Sequence, residues 1–284
     1  MHIPVLQKEV LQYLNPKPNE NFIDCTIGGA GHTLAILEKT GPEGKVLGID
    51  RDPELLKNIK KQKRLILVCD NFSNLKEIVK KNKFTKVHGI LFDLGMSSWH
   101  LDESGRGFSF QKREPLDMRY NSQAHLTAEK IVNYWSKFDV EKILKEYGEE
   151  KFAHQIAEKI IEVRKLRPIK NTLQLVEIIK KAVPKRYLHG KLHPATRIFQ
   201  ALRITVNDEL NNLERVLPQS QELLKTGGRI VGISFHSLED RIVKNFFKNE
   251  SLKVLTKKPV TPSIKEIKIN PRSRSAKLRA ALKI

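Results

Sequence analysis

Cysteine is almost missing from this chain: Cys25 and Cys69 are the two among 284 residues. Two thiols make no disulfide framework, and no Cys/His cluster has the spacing of a zinc site, so no metal is expected. Long apolar runs are missing too. No window reaches the roughly 18 uninterrupted apolar residues of a membrane span. The opening MHIPVLQKEV has neither the charged nor the apolar region of a secretory signal, so a soluble, cytoplasmic protein is expected. Acid is scarce relative to base: 32 Asp and Glu against 52 Lys and Arg, for a formal charge of +20. Runs such as 57–64 and 79–83 could simply solvate helix faces. An imbalance this large, however, attracts a large polyanion over long range, and nucleic acid is the obvious partner.

What is present alternates. Up to about residue 95, short apolar runs at 21–25, 45–50, 65–70 and 88–94 are separated by amphipathic stretches near 31–39, 53–62 and 74–82. That alternation predicts βαβ units and a parallel sheet. Cys25 and Cys69 fall in predicted strands 1 and 3, with strand 2 between them. Two strand spacings exceed the roughly 7 Å Cα limit for a bridge, so two buried free thiols are expected. From 108 to 192 the apolar period becomes helical. Phe152, Ile156, Ile160 and Val163 share one face, Pro168 stops that helix, and Asn171 with Gln174 forms a capping pair before the next. A long helix is expected over 193–217, with Ile198, Ala201, Leu202 and Thr205 inward. A fifth strand follows at 227–235, then a helix, then a basic tail ending in a strand. The expected division is a core of 1–107 and 193–284 around a helical insert of 108–192.

The chemistry concentrates at DCTIGGAGH (24–32), where a strand runs through Gly28, Gly29 and Gly31 into a helix. Such glycines permit a tight turn and let helix N-terminal N–H groups approach a cofactor. Asp50, at the end of predicted strand 2 and about 20 residues on, is placed to bind ribose hydroxyls. The pair implies an adenosine-containing cofactor. The G-x-G-x-x-G that admits a pyrophosphate is absent, which disfavours a dinucleotide. S-adenosylmethionine carries no phosphate, and its cationic groups suit an acidic, glycine-rich pocket. The fold class expected is therefore α/β, a Rossmann-like class I methyltransferase core with a helical inserted subdomain.

Residues 2–10, 24–32, 48–53, 93–102, 106–110, 115–119, 147–150, 193–210, 227–244 and 270–279 together resemble the bacterial small-subunit ribosomal RNA cytidine N4-methyltransferases, the MraW family. The resemblance spans the chain. It implies S-adenosylmethionine as donor, 16S rRNA within the small ribosomal subunit as substrate, and N4 of a decoding-centre cytidine as acceptor. By position it assigns cofactor contacts to Ala30, Gly31, His32, Asp50, Phe72, Asp93 and His100. Family members often carry Gly in place of Ala30 and commonly Gln in place of His100. A backbone N–H contact at Ala30 would make the first change harmless, and a histidine can replace the hydrogen bond of the glutamine.

Other roles stay open on the residues alone. Phe72 suits the cofactor or the core, and His32 could act through its ring, its backbone or as a helix cap. His236 and Ser237 either line the pocket or start the next helix, with Asp240 completing a capping pattern for Ser237. Cytosine N4 is a poor nucleophile that needs in-line placement and hydrogen-bond acceptors. Asp93 and His236 are the catalytic candidates. The D-P-P-Y motif of many amino-methyltransferases is absent after strand 4, so Trp99, Phe108 or Phe110 would have to stack the base. Basic residues flanking the pocket, Arg197 in segment 185–197 and Arg272, Arg274 and Arg279 in the tail, are expected on the RNA. A DNA amino-methyltransferase, a non-catalytic rRNA-binding assembly factor and a homodimer are the remaining alternatives.

Overall fold

The computed structural model describes residues 3–190, 192–249 and 251–284. His2 of the first motif and Lys191 of the basic segment lie outside the described residues. The first unit comprises Met1–Gly95 and Leu210–Ile284, the second Met96–Glu209. The boundaries thus fall at 95/96 and 209/210, where the sequence suggested 107/108 and 192/193. The reason is packing: Met96, Leu101, Ile198, Ala201 and Leu202 all belong to the second unit's apolar core.

Along the chain run α1 (Gln7–Leu14), β1 (Asn21–Asp24), α2 (Gly31–Lys39), β2 (Val46–Asp50), α3 (Pro53–Lys57), β3 (Leu65–Cys69), α4 (Leu75–Lys81) and β4 (Val87–Asp93). The helices α5 (Ser98–Asp102), α6 (Ala128–Tyr134), α7 (Lys137–Glu146), α8 (Ala153–Leu166), α9 (Thr172–Ala182), α10 (Lys185–Leu188) and α11 (Ala195–Asn207) follow. The chain closes with α12 (Glu209–Leu223), β5 (Leu224–Ser234), α13 (Ser237–Phe246), β6 (Leu252–Val254), α14 (Ile264–Ile269) and β7 (Lys277–Lys283). Among the described residues, no helix is long and apolar enough to cross a membrane.

The first unit is Rossmann-like. Its sheet has the order β3-β2-β1-β4-β5-β7-β6, parallel from β3 to β5, with β7 antiparallel between β5 and β6. Alternating side chains of the central strands feed two cores. Ile23, Leu47, Ile49, Ile90 and Phe92 meet Leu75 and Ile78 of α4 and Leu213 and Val216 of α12. Phe22, Val46, Leu91 and Val231 meet Val10 and Leu14 of α1 and Ile36 of α2. Burial on both faces is why these strands read as continuous apolar runs. The edge strand β3 is only half-buried, and Cys69 at its end is exposed rather than buried as expected; Cys25 is buried one residue past β1, and both thiols are free.

The order reverses between β1 and β4, which carry the sheet in opposite directions from the centre. In open α/β sheets that switch point, at the carboxyl ends of the strands, is where ligands bind. Asp24, Asp50 and Asp93 are the last residues of β1, β2 and β4.

In the second unit, Asn171 and Gln174 form the full reciprocal capping box at the start of α9, and α8 stops before Pro168. The long helix expected over 193–217 is broken. Asp208 adopts the left-handed conformation (φ 51°) and ends α11. Buried Asn207 fixes the break, donating to Met118 O (2.7 Å) and accepting from Tyr120 N–H (2.9 Å). Thr205 is half-buried, its hydroxyl donating to Ala201 O (2.7 Å), not fully inward.

Arg279 corrects a further expectation. It is 8% exposed, inside the sheet on β7, and its guanidinium forks onto Asp240 of α13 at 2.6 and 3.1 Å. A group so committed does not contact RNA phosphates. Burial would raise the Asp240 carboxyl, but Arg279 and then Lys277 outweigh it and hold it below its ordinary value. Arg279→Ala should destabilise the protein by about 3 kcal/mol in urea titration, the low end for an orphaned buried charge. Lys277 Nζ, 3.6 Å from Asp240, is the reason for choosing the low end. A loss under about 1 kcal/mol would show that the pair is dispensable.

Candidate functional site

The site is built on the carboxyl edge of the first unit's sheet. Asp24 is 1% exposed and accepts from Thr33 Oγ1 (2.6 Å) and Thr26 N–H (3.1 Å). Burial raises its carboxyl above the ordinary value, against the opposing pull of Thr33, His32 and Thr26. Its hydrogen bonds thus tie the end of β1 to the first turn of α2. Thr26 Oγ1 in turn accepts the N–H of Asp93 (2.6 Å), linking the loop to the end of β4.

The loop between β1 and α2 turns at Gly28, whose φ of +46° suits glycine. Its N–H donates to Asp50 Oδ2 (3.0 Å), and Asp50 Oδ1 accepts from Asp52 N–H (2.9 Å). Asp52, itself buried, caps α3 by accepting from Glu54 N–H (3.0 Å). Asp50 is therefore held by backbone donors on both oxygens.

Ala30 adopts φ 61°, a conformation that costs a non-glycine residue roughly 1 kcal/mol. Its N–H is taken by Ile27 O (2.7 Å), so the backbone N–H contact that would have excused the alanine is already spent. Gly31, His32 and Thr33 open α2, where N–H groups have no acceptor within the helix.

His32 is 6% exposed, and its Nε2 lies 3.6 Å from Asp93 Oδ2, an ion-pair contact too long for a good hydrogen bond. Neither ring nitrogen of His32, nor Asp93 Oδ1, has a hydrogen-bond partner, although all three atoms are buried. Buried polar atoms are rarely left unpaired, so this trio marks a place prepared for polar groups of a ligand. Burial works against a charged imidazole, but Asp93, followed by Asp24, raises the His32 pKa above its ordinary value.

The other expected residues divide between the units. Phe72, half-buried after β3, packs edge-on against Phe92 with ring centroids 6.1 Å apart. His236 caps α13, its Nδ1 accepting from Glu239 N–H (3.4 Å); the cap is one residue earlier than the Ser237–Asp240 pattern suggested. Arg272 and Arg274 are exposed in a 3-10 turn over Pro271–Ser275.

In the second unit, His100 is 4% exposed, 2.8 Å from Ser97 Oγ through Nδ1, with its ring among Trp99, Phe108 and Tyr120. Arg106 lies over Trp99 at 5.2 Å. Phe110 stacks on exposed His193 at 4.7 Å with the rings 10° apart. Tyr120 and His193 escaped the sequence because an aromatic partner distant in the chain leaves no local signal. Arg197 is half-buried and donates to Glu149 O (3.2 Å).

The model of a family described as the MraW methylase family matches residues 1–284. Three relatives share the name ribosomal RNA small subunit methyltransferase H. One from Dehalococcoides mccartyi is 46% identical over 307 residues, covering 100% of this chain and 86% of the relative. One from Sulfurihydrogenibium sp. is 47% identical over 292 residues, covering 100% and 99%. One from Heliobacterium mobile is 45% identical over 308 residues, again covering 100% and 99%.

Proposed function

The chain belongs to the MraW methylase family, and from that premise we propose that it transfers a methyl group from S-adenosylmethionine to N4 of a cytidine in the decoding centre of 16S rRNA. The observation that carries the reading is the acidic strand edge, with the unpaired buried atoms of His32 and Asp93 beside the loop tethered to Asp50.

The residues fit the donor. Asp50 offers acceptors to ribose hydroxyls, and Gly31 and His32 line the approach to α2. Asp24 and Asp93 supply negative potential for its sulfonium and ammonium groups. When bound, S-adenosylmethionine supplies an electrophilic methyl group. The chain's part is then positioning: the loop and Asp50 orient the donor, and Asp93 Oδ1 accepts from the attacking amine, which favours rehybridisation at N4. The target base must stand clear of its stack. Exposed Arg272 and Arg274, and Arg197 of α11, hold the RNA backbone, and the helical insert serves substrate recognition.

The test incubates the protein with labelled donor and either 16S rRNA or small subunits from a strain lacking the enzyme. Nucleoside mass spectrometry should find N4-methylcytidine at one position. Donor binding without transfer to either substrate would leave a non-catalytic assembly factor, and transfer to duplex DNA alone would leave a DNA amino-methyltransferase.

A further inference from the structure

Residues 3–7 run between the glycine loop and the C-terminal segment of the first unit, and four contacts tie them there. A Cβ on Gly31 would sit 2.2 Å from Pro4 Cγ, so the absence of a side chain at 31 is what lets Pro4 close on the loop. Gln7 Nε2 donates to Gly31 O (3.1 Å). On the other side, Leu6 N–H donates to Glu266 Oε1 of α14 (2.7 Å), and Asn270 Nδ2 donates to Ile3 O (3.2 Å).

The turn at Leu6 is not one the chain adopts freely. Leu6 is 1% exposed and left-handed (φ 53°), a conformation that leucine occupies only when its surroundings impose it. A short, charge-assisted bond donated by its N–H to a carboxylate is a strong constraint of that kind. The Glu266 charge also adds, after those of Asp93 and Asp24, to the rise of the His32 pKa.

We propose that Glu266 is a positioning residue for the methyl donor: by holding Leu6 it presses residues 3–7 onto Gly31 and keeps the loop in its binding shape. The inference rests on the reading that the Gly28–His32 edge holds S-adenosylmethionine. Glu266 touches neither donor nor acceptor; it acts through Leu6, Gln7 and Pro4.

Calorimetric titration of the full chain with S-adenosylmethionine tests it, with steady-state kinetics on 16S rRNA beside it. Glu266→Ala should weaken donor affinity about tenfold, the scale of one hydrogen bond to a charged group. The effect should fall on the donor KM, with kcat and the RNA KM within about threefold of wild type. Glu266→Gln keeps an acceptor for Leu6 N–H and should stay within about threefold throughout. Asp50→Ala serves as the control for the site. If Asp50→Ala loses the donor while Glu266→Ala binds as wild type does, the positioning role is overturned and the site stands. If neither variant differs from wild type, site and proposal fall together. Should Glu266→Ala not fold, Gln7→Ala takes its place: a threefold or greater loss of donor affinity upholds the proposal, and wild-type affinity overturns it.

Discussion

Asp50→Ala is expected to lose S-adenosylmethionine affinity by more than a hundredfold while the protein stays folded. Two good hydrogen bonds from ribose hydroxyls to a charged acceptor are worth about 3 kcal/mol or more. The structure adds a second source of loss. Asp50 also accepts the N–H of Gly28, so its removal releases the loop that carries Gly31 and His32. The fold should survive, because Asp50 stands half-exposed at the last position of β2, beyond the buried Val46, Leu47 and Ile49. Asp50→Asn is expected to be nearly as damaging. Both carboxylate oxygens face backbone donors, Gly28 on one side and Asp52 on the other, so either amide orientation sets an NH2 group against an N–H. Calorimetry paired with a thermal melt decides: affinity within threefold of wild type in either variant would remove Asp50 from the site.

The contrast between Asp50 and Arg279 shows what the sequence could and could not convey. Asp50 was legible because its evidence is local: a glycine-rich turn, an apolar run, and an acid at that run's end. The parallel strands were legible for the same reason, since burial on both faces writes itself as continuous apolar sequence. Arg279 stands in a tail full of cations, and only the insertion of β7 between β5 and β6 buries it against Asp240. Nothing near either residue announces the pairing. The left-handed breaks at Ala30 and Asp208 were hidden too, because neither residue signals positive φ as a glycine would. The short elements β6 and α14 carry too few residues for a period to show. Separation in the chain concealed the ion-pair contact of His32 with Asp93, which joins the start of α2 to the end of β4 across the switch point.

That meeting is where the largest catalytic loss is expected. Asp93→Ala should lower kcat by roughly a hundred- to a thousandfold at saturating donor, the scale seen when one preorganised group facing the reacting atoms is removed. The amine of cytosine needs an acceptor for its N–H as the new bond forms, and Asp93 Oδ1 is buried without a partner at the switch point. The competing chemistry, methylation at C5, calls for a cysteine that adds covalently at C6. Neither thiol suits that task. Burial, and then Asp24, raises the Cys25 pKa well above its ordinary value. Partial burial, followed by the charges of Asp50, Asp52 and Asp70, raises that of Cys69. A thiol so shifted has little of the thiolate that would attack. Cys25→Ser and Cys69→Ser should therefore keep activity, and the product should be N4-methylcytidine in every active variant. Asp93 also faces His32, so donor affinity must be measured alongside. The expectation is a modest rise in donor Kd against a large fall in kcat. A folded Asp93→Ala enzyme that turns over within threefold of wild type would remove Asp93 from the chemistry. A methyl group found at C5, or activity lost in a folded cysteine variant, would replace this mechanism with a covalent one.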